Sequence, residues 1–163
     1  MNIELQRVTI AEKSILQNLV HLCMHDYSEF DHFEIGSDGM FTYRWFEAYF
    51  QEKERHAYLI SVNKNLAGFV MVRANLENED WDYQIAEFFI LRRYRRLGVG
   101  TLVAQQLLNK YTGLWEISYA ANNQAASKLW NSIAKDYPNK QHQIDFSEKG
   151  RNRFLIKTGE AIA

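Results

Sequence analysis

The chain has 163 residues, 47% of them apolar and 24% charged, a length that one core can serve and a composition that excludes a disordered chain. A formal net charge of −1 sets up no overall field for nucleic acid or an anionic membrane. No apolar run nears the ~20 residues that a bilayer-spanning helix needs.

Residues 3–9 alternate apolar and polar side chains like an edge strand. Over residues 11–24, Ile15, Leu16, Leu19, Val20 and Cys23 fall at helical spacing. A loop is expected from there to about residue 40, followed by an aromatic-rich helix from Phe41 to Phe50. Tyr58 to Val62 and Leu66 to Val72 read as short strands joined in a hairpin by Asn63-Lys64-Asn65. A polar turn at 75–80 leads into a strand from Tyr83 to Leu91.

The next helix is the clearest. Val99, Leu102, Val103, Leu107, Leu108 and Tyr111 share one face, with Gln105, Gln106, Asn109 and Lys110 opposite. Gly113 is placed to cap its C-terminus. Trp115, Ile117 and Tyr119 alternate as a strand. Asn122 or Asn123 then caps a helix with Ala126, Leu129, Trp130, Ile133, Ala134 and Tyr137 on its apolar face, stopped by Pro138. Strands near 142–147 and 152–157 end the chain. With one proline and no Gly/Ser-rich linker or repeat, residues 1–163 read as a single domain. The order β-α-α-β-β-β-α-β-α-β-β predicts an α/β protein with a mixed sheet covered by helices.

The segment from Ile90 to Thr101, ILRRYRRLGVGT, carries the chemistry. A strand runs into a turn bearing Gly98 and Gly100, and the turn opens a helix. The first N–H groups of a helix have no internal partner and lie at its positive dipole end, which suits phosphate oxygens. One such interaction is worth about 0.3–1 kcal/mol at a surface, so a diphosphate needs several amides and an arginine. The G-x-x-x-x-G-K-[S/T] loop is excluded because no lysine precedes Thr101, and G-x-G-x-x-G because Val103 stands where its last glycine would be.

What remains is Arg95-x-x-Gly98-x-Gly100, which resembles the R/Q-x-x-G-x-G/A signature of the GNAT acetyltransferase superfamily. Downstream, Asn123-Gln124-Ala125-Ala126-Ser127-Lys128-Leu129-Trp130 resembles the N-x-x-A-x-x-[L/F]-[Y/W] helix of the same superfamily. The resemblance is good over about residues 56–137. The run Glu87-Phe88-Phe89-Ile90 and the pair Leu129-Trp130 look most like a subgroup whose acceptors are unassigned.

The resemblance implies a twisted, mostly antiparallel sheet flanked by helices on both faces and an acetyl-CoA-dependent N-acetyltransferase. It implies that backbone groups of Phe89 and Ile90 pair with the pantetheine arm. Amides of Arg95, Arg96, Leu97, Gly98, Val99, Gly100 and Thr101 would cradle the diphosphate. Asn123 would reach the pantetheine or the thioester, with Ser127 and Trp130 on the helix beside the thiol. The acceptor would be a small-molecule or peptide amine.

Attack on a thioester needs a neutral amine, and a lysine-like amine has a pKa of ~10.4. Glu87 lies three residues before Ile90, where family members often carry an acid, and an apolar strand would raise its pKa toward that of a useful base. The other reading makes it a strand-end carboxylate paired with an arginine. Trp130 stands where many relatives place a tyrosine acid, and an indole N–H is no proton source. Trp130 would then pack against the pantetheine, the acceptor or the core, leaving protonation to Tyr119 or a water.

Four of the five residues from Arg92 to Arg96 are arginines. Nucleic acid could use such a run, but at this net charge the phosphates of CoA are the better partner. His21 and His25 are four apart on a helix without a third ligand fixed by spacing, so no metal is expected. Between Lys13 and Arg44 there is no Lys or Arg, while Asp26, Glu29, Asp31, Glu34 and Asp38 are interleaved with aromatics. As a pocket wall this stretch would favour a cationic amine; as a solvated loop it would favour nothing. Cys23 is the only cysteine, so an intrachain disulfide is excluded. Met1-Asn2-Ile3-Glu4 lacks the plan of a signal peptide, and a cytoplasmic protein is expected. A homodimer through exposed sheet edges is conceivable. The competing functions are an acyl-CoA sensor without turnover and an O-acyltransferase.

Overall fold

The computed structural model describes residues 1–74, 80–137, 140–146 and 150–159, with 140–146 given as backbone. The expected turn residues 75–79, Ser147 and Pro138 lie outside the described residues. The described strands are β1 (Ile3–Arg7), β2 (Arg55–Val62), β3 (Asn65–Ala74), β4 (Tyr83–Ile90), β5 (Gly113–Ala120), β6 (Lys140–Phe146) and β7 (Arg151–Thr158). The helices are α1 (Lys13–Asp31), α2 (Ala48–Gln51), α3 (Val99–Lys110) and α4 (Gln124–Lys135). The strands form one sheet in the order β1-β2-β3-β4-β5-β7-β6. Every pairing is antiparallel except β4 with β5.

Alternation along the strands divides the core. Tyr58, Val70, Val72, Ile85, Trp115 and Ile117 pack under α3 and α4. Leu59, Phe69, Met71 and Phe89 pack under α1 and α2. The sheet is therefore covered by helices on both faces, as a sheet apolar on both sides requires.

Local chemistry sets the boundaries. Asn63 and Lys64 both adopt left-handed φ, 49° and 68°, the conformation that a tight two-residue hairpin demands. A capping box starts the first helical segment. The Thr9 side chain accepts from the Ala11 N–H, and Glu12 accepts from the Thr9 N–H at 2.8 Å.

Three elements differ from the sequence expectation. Helix α1 continues past residue 24 to Asp31 and ends on His32 at φ 52°, because Tyr27 extends its apolar stripe into the α1-side core. The acidic-aromatic stretch therefore begins on a helix. The helix expected from Phe41 to Phe50 shrinks to α2, preceded by turns, with Phe46 and Tyr49 as its buried anchors. Gly113 caps nothing: Tyr111 is already extended and Gly113 opens β5.

Two features shape the middle of the sheet. Met71 pairs with Glu87 and the next residue of β3, Val72, pairs with Ile85, so Ala86 is an extra residue in β4, a bulge. A bulge bends its strand and raises its twist. The parallel pairing of β4 with β5 holds only from Tyr83↔Trp115 to Ile85↔Ile117. Beyond the bulge the two strands part.

Gly68 faces the other edge of β4. A Cβ built there would lie 2.0 Å from the Phe89 carbonyl oxygen and 3.1 Å from the Ile90 Cα, so β3 can approach β4 only without a side chain. Gly68→Ala should therefore lower stability by about 1–3 kcal/mol, read as a drop in the urea midpoint. An unchanged midpoint would mean that β4 yields freely.

Candidate active site

Where β4 and β5 separate, a cleft of about 1010 Å³ runs through the gap from the turn before α3 to the start of α4. Hydrogen-bond parity decides which backbone groups face it. The Leu91 N–H donates to the Ala67 carbonyl at 2.8 Å and Phe89 pairs with Phe69, so Phe89 turns its polar groups to β3. Phe88 and Ile90 turn theirs toward the gap. Their carbonyls are already engaged: Tyr27 Oη donates to Phe88 O at 2.8 Å, and Arg95 Nε to Ile90 O at 2.7 Å. The N–H groups that face the gap are thus those of Phe88 and Ile90, whereas the expected backbone groups of Phe89 are turned to β3.

The turn before α3 contains left-handed Arg96, φ 61°, and Gly98, φ 80°. The first α-helical bond runs from Leu102 N to Gly98 O, and no side chain caps this end. The N–H groups of Val99, Gly100 and Thr101 therefore have no helical partner. Gly98 is required by its φ, since a Cβ there would meet nothing within 4 Å. Arg95, Arg96, Gly98, Gly100 and Thr101 line the cleft, whereas Leu97 is exposed and Val99 is fully buried. The side chains of those last two residues serve solvent and core. Of the remaining arginines, Arg92 lines the mouth and Arg93 lies over the Tyr94 ring, centroid distance 5.7 Å.

Asp26 on α1 ties this turn down by ion pairs to Arg92, at 2.8 Å, and to Arg95. Partial burial pushes the Asp26 carboxyl up, but hydrogen bonds from the two guanidiniums hold it below its ordinary value. Asp31 is likewise paired with Arg151 at 3.1 Å. These two carboxylates line the cleft, and arginine already neutralises both. Glu29 of the same stretch also lines the cleft and has no ion pair among the described residues, so one carboxylate of this wall stays uncompensated.

The bulge also determines where Glu87 points. Ile85 packs under α3 and α4, and strict alternation would send Glu87 after it. With Ala86 inserted, Ala86 packs on the α1 side and Glu87 turns to the same side, beside Tyr43 and near Arg151. Burial pushes its carboxyl up to about 7, opposed by the hydrogen bond from Tyr43 and by the positive charge of Arg151. Tyr43 was not signalled by any motif; only the fold brings it to Glu87.

On the other face, Tyr119 stacks on Phe154 at 6.0 Å, and its buried hydroxyl has no hydrogen-bond partner among the described residues. Trp130, 4% exposed, packs edge-on against Phe88 at 5.2 Å and lines the same cleft. Asn123 Oδ1 caps α4 by accepting from Ala126 N at 3.0 Å, which leaves its Nδ2 for a ligand. Ser127 lies away from the expected position. It does not line the cleft, and its hydroxyl accepts from Asn131 Nδ2 at 3.2 Å on the far side of the helix. The thiol of Cys23 is buried and its pKa is pushed well above the ordinary value, which suppresses the thiolate that a nucleophile would need.

Among the described residues no three His, Cys, Asp or Glu side chains converge as metal ligands. His21 Nδ1 instead accepts from the Phe41 N–H at 3.3 Å. No described helix is long and apolar enough to cross a membrane.

The sequence matches the Acetyltransferase (GNAT) family over residues 19–134, and the chain belongs to that family. Solved structures share its fold. An acetyltransferase from Thermus thermophilus superposes with a TM-score of 0.71 at 12% identity, over 97% of this chain and 98% of that one. The spermidine N-acetyltransferase of Vibrio cholerae, solved with CoA and spermine, gives 0.67 at 12% over 95% of both chains. The aminoglycoside acetyltransferase AAC(6')-Ib with coenzyme A gives 0.65 at 13% over 96% of this chain and 95% of that one. No curated protein matches the sequence.

The raised Glu87 pKa has a consequence for stability. Its folded value of about 7 exceeds the ordinary 4.5, so the folded state binds more protons than the unfolded one between those values. The stability that this protonation contributes is complete below the ordinary pKa and is lost as pH rises through about 7. Glu87→Gln should gain stability over the wild type between pH ~5 and pH ~8.5, by on the order of 2 kcal/mol. Urea titrations at the two pH values measure it, and equal differences would place the carboxylate in water.

Proposed function

We propose that residues 1–163 form one acetyltransferase domain that moves an acetyl group from acetyl-CoA to a primary amine. The carrying observation is the cleft, which joins three uncapped helical amides beside Arg96 to a carboxyl with a pKa of about 7. Amides of Val99, Gly100 and Thr101, aided by Arg96, hold the diphosphate. The N–H groups of Phe88 and Ile90 bind the pantetheine as though it were an added strand. Nδ2 of Asn123 turns toward the thioester end, and Trp130 packs against the arm.

Glu87 acts as the base from the α1 side. Its carboxylate takes the ammonium proton of the acceptor, directly or through a water, so that the neutral amine can attack the thioester carbonyl. The unpartnered Tyr119 hydroxyl, on the other face, donates to the departing thiolate. With a thiol pKa of ~8.5 the thiolate is already a fair leaving group, so Trp130 in place of a tyrosine is tolerable. Arg95 serves indirectly by fixing the turn to Ile90 and Asp26.

One observation favours a second reading. Trp130 has no transferable proton, as would suit an acyl-CoA sensor; steady release of free thiol with an amine panel separates enzyme from sensor. Calorimetry should detect acetyl-CoA binding, and Gly98→Val, with a β-branched residue forced to positive φ, should abolish it in folded protein. No heat from wild type at millimolar acetyl-CoA sinks the reading. With an active acceptor, kcat/KM should rise with pH through about 7 as Glu87 loses its proton. Glu87→Gln should remove that limb and reduce the rate by ~10²–10⁴. Tyr119→Phe should alter only the alkaline limb; an unchanged limb removes Tyr119 from the chemistry.

A further inference from the structure

A second cavity of about 290 Å³ opens on the α1-side face of the sheet. It shares Ile85, Ala86, Ser118 and Arg151 with the large cleft, so the two meet where β4 and β5 begin to part. Its polar wall comes from Arg55, Arg73 and Arg151, with Gln84, Glu116 and Tyr43. Register explains the arrangement. Arg55 pairs with Arg73, Arg73 with Gln84, and Gln84 with Glu116 across neighbouring strands, which lays one polar row across the α1-side face.

The charges in this row are unevenly paired. Arg55 is paired with Glu52 at 2.6 Å, and Arg151 with Asp31 at 3.1 Å. The Glu116 carboxylate takes Arg153 Nε at 3.2 Å and Gln84 Nε2 at 2.9 Å, and Arg153 is paired with Asp80 as well. Among the described residues, Arg73 alone of the three lining arginines has no carboxylate. Its Nε is buried without a hydrogen-bond partner among the described residues, and its guanidinium lies over the Trp81 ring at 5.4 Å. A buried, unpaired guanidinium N–H in a polar cavity is a costly arrangement that an incoming anion would relieve.

We infer that this cavity binds a carboxylate of the acceptor through Arg73, so that the acceptor is a small amine carrying its own carboxylate. The inference rests on the acetyltransferase reading for the amine and on the cavity for the anion. Arg73 stands two residues along β3 from Met71, the partner of Glu87, roughly 7 Å at a strand's rise per residue. An ω-amino acid spans such a distance, with its amine at Glu87 and its carboxylate at Arg73. One unpaired guanidinium matches a monoanion, and Glu116 in the wall opposes a dianion such as a phosphomonoester.

The test pairs ω-amino acids, from β-alanine to ε-aminocaproate, with their carboxamides, and adds phosphoethanolamine. Wild type should favour the carboxylate of the best pair by at least about tenfold in kcat/KM. Arg73→Met should bring that ratio to within about twofold of one, and Arg73→Lys should restore part of it. Melting temperatures establish that each variant is folded. A second arm needs no turnover: calorimetry of the N-acetylated carboxylate and N-acetylated carboxamide products, with CoA present. The carboxylate product should bind about tenfold more tightly, dependent on Arg73. If acetyl-CoA binds but amides, simple diamines or phosphoethanolamine are preferred, or Arg73→Met leaves both ratios unchanged, the carboxylate site is refuted while the transferase reading stands. If acetyl-CoA fails to bind, the transferase reading falls, and the product arm still decides the cavity.

Discussion

One extra residue in one strand governs the centre of this molecule. Ala86 interrupts the pairing of β4 with β3, and three consequences follow from that insertion. It bends β4 away from β5, which limits their parallel ladder to three residue pairs and opens the cleft. It shifts the side-chain phase, so that Glu87 leaves the apolar α3 side for the α1 side. It also leaves backbone donors of Phe88 and Ile90 facing a gap instead of a partner strand. A sheet usually hides such groups in its ladder; here they are presented.

Helix α1 acts as the brace for this opening. Its length matters, because the residues that hold the site, Asp26, Tyr27 and Asp31, all lie in its second half. Asp26 grips the arginines of the turn, Tyr27 fills the lone pair of a β4 carbonyl, and Asp31 holds Arg151 against β5. Charge-assisted bonds of this kind are short and directional, so a helix on one face fixes a phosphate-type turn at the edge of the other. Glu87 lies amid this network with burial working against its charge, the sort of perturbed carboxyl that marks functional clefts.

Periodicity and turn chemistry made most of the fold legible. The strand-turn-helix at Gly98 and the Asn123 cap fall where the sequence puts them, since each depends on a few adjacent residues. The end of α1 was hidden because acidic residues at 26–31 look like loop when their partners, Arg92, Arg95 and Arg151, are far along the chain. The bulge was equally hidden: Tyr83 to Ile90 shows no glycine or break, and only pairing with β3 exposes the surplus residue. Ser127 looked like a ligand contact because a motif gives spacing along a helix without showing how that helix is rotated against the sheet. Tyr43 and Arg73 had no local signal at all, since their significance comes wholly from what lies across from them.

The parted strands turn the sheet into a partition with a window. Tyr119 and Trp130 stand on one side, Glu87 and Arg73 on the other, and the residues common to both chambers frame the opening. Two reactants entering from opposite sides would meet in that frame without displacing each other. The chain's single thiol is sealed beneath α1 and unsuited to carry an acyl group between visits. Under the proposed transfer, such a layout would have both reactants present together, in a sequential scheme with no covalent halfway stage.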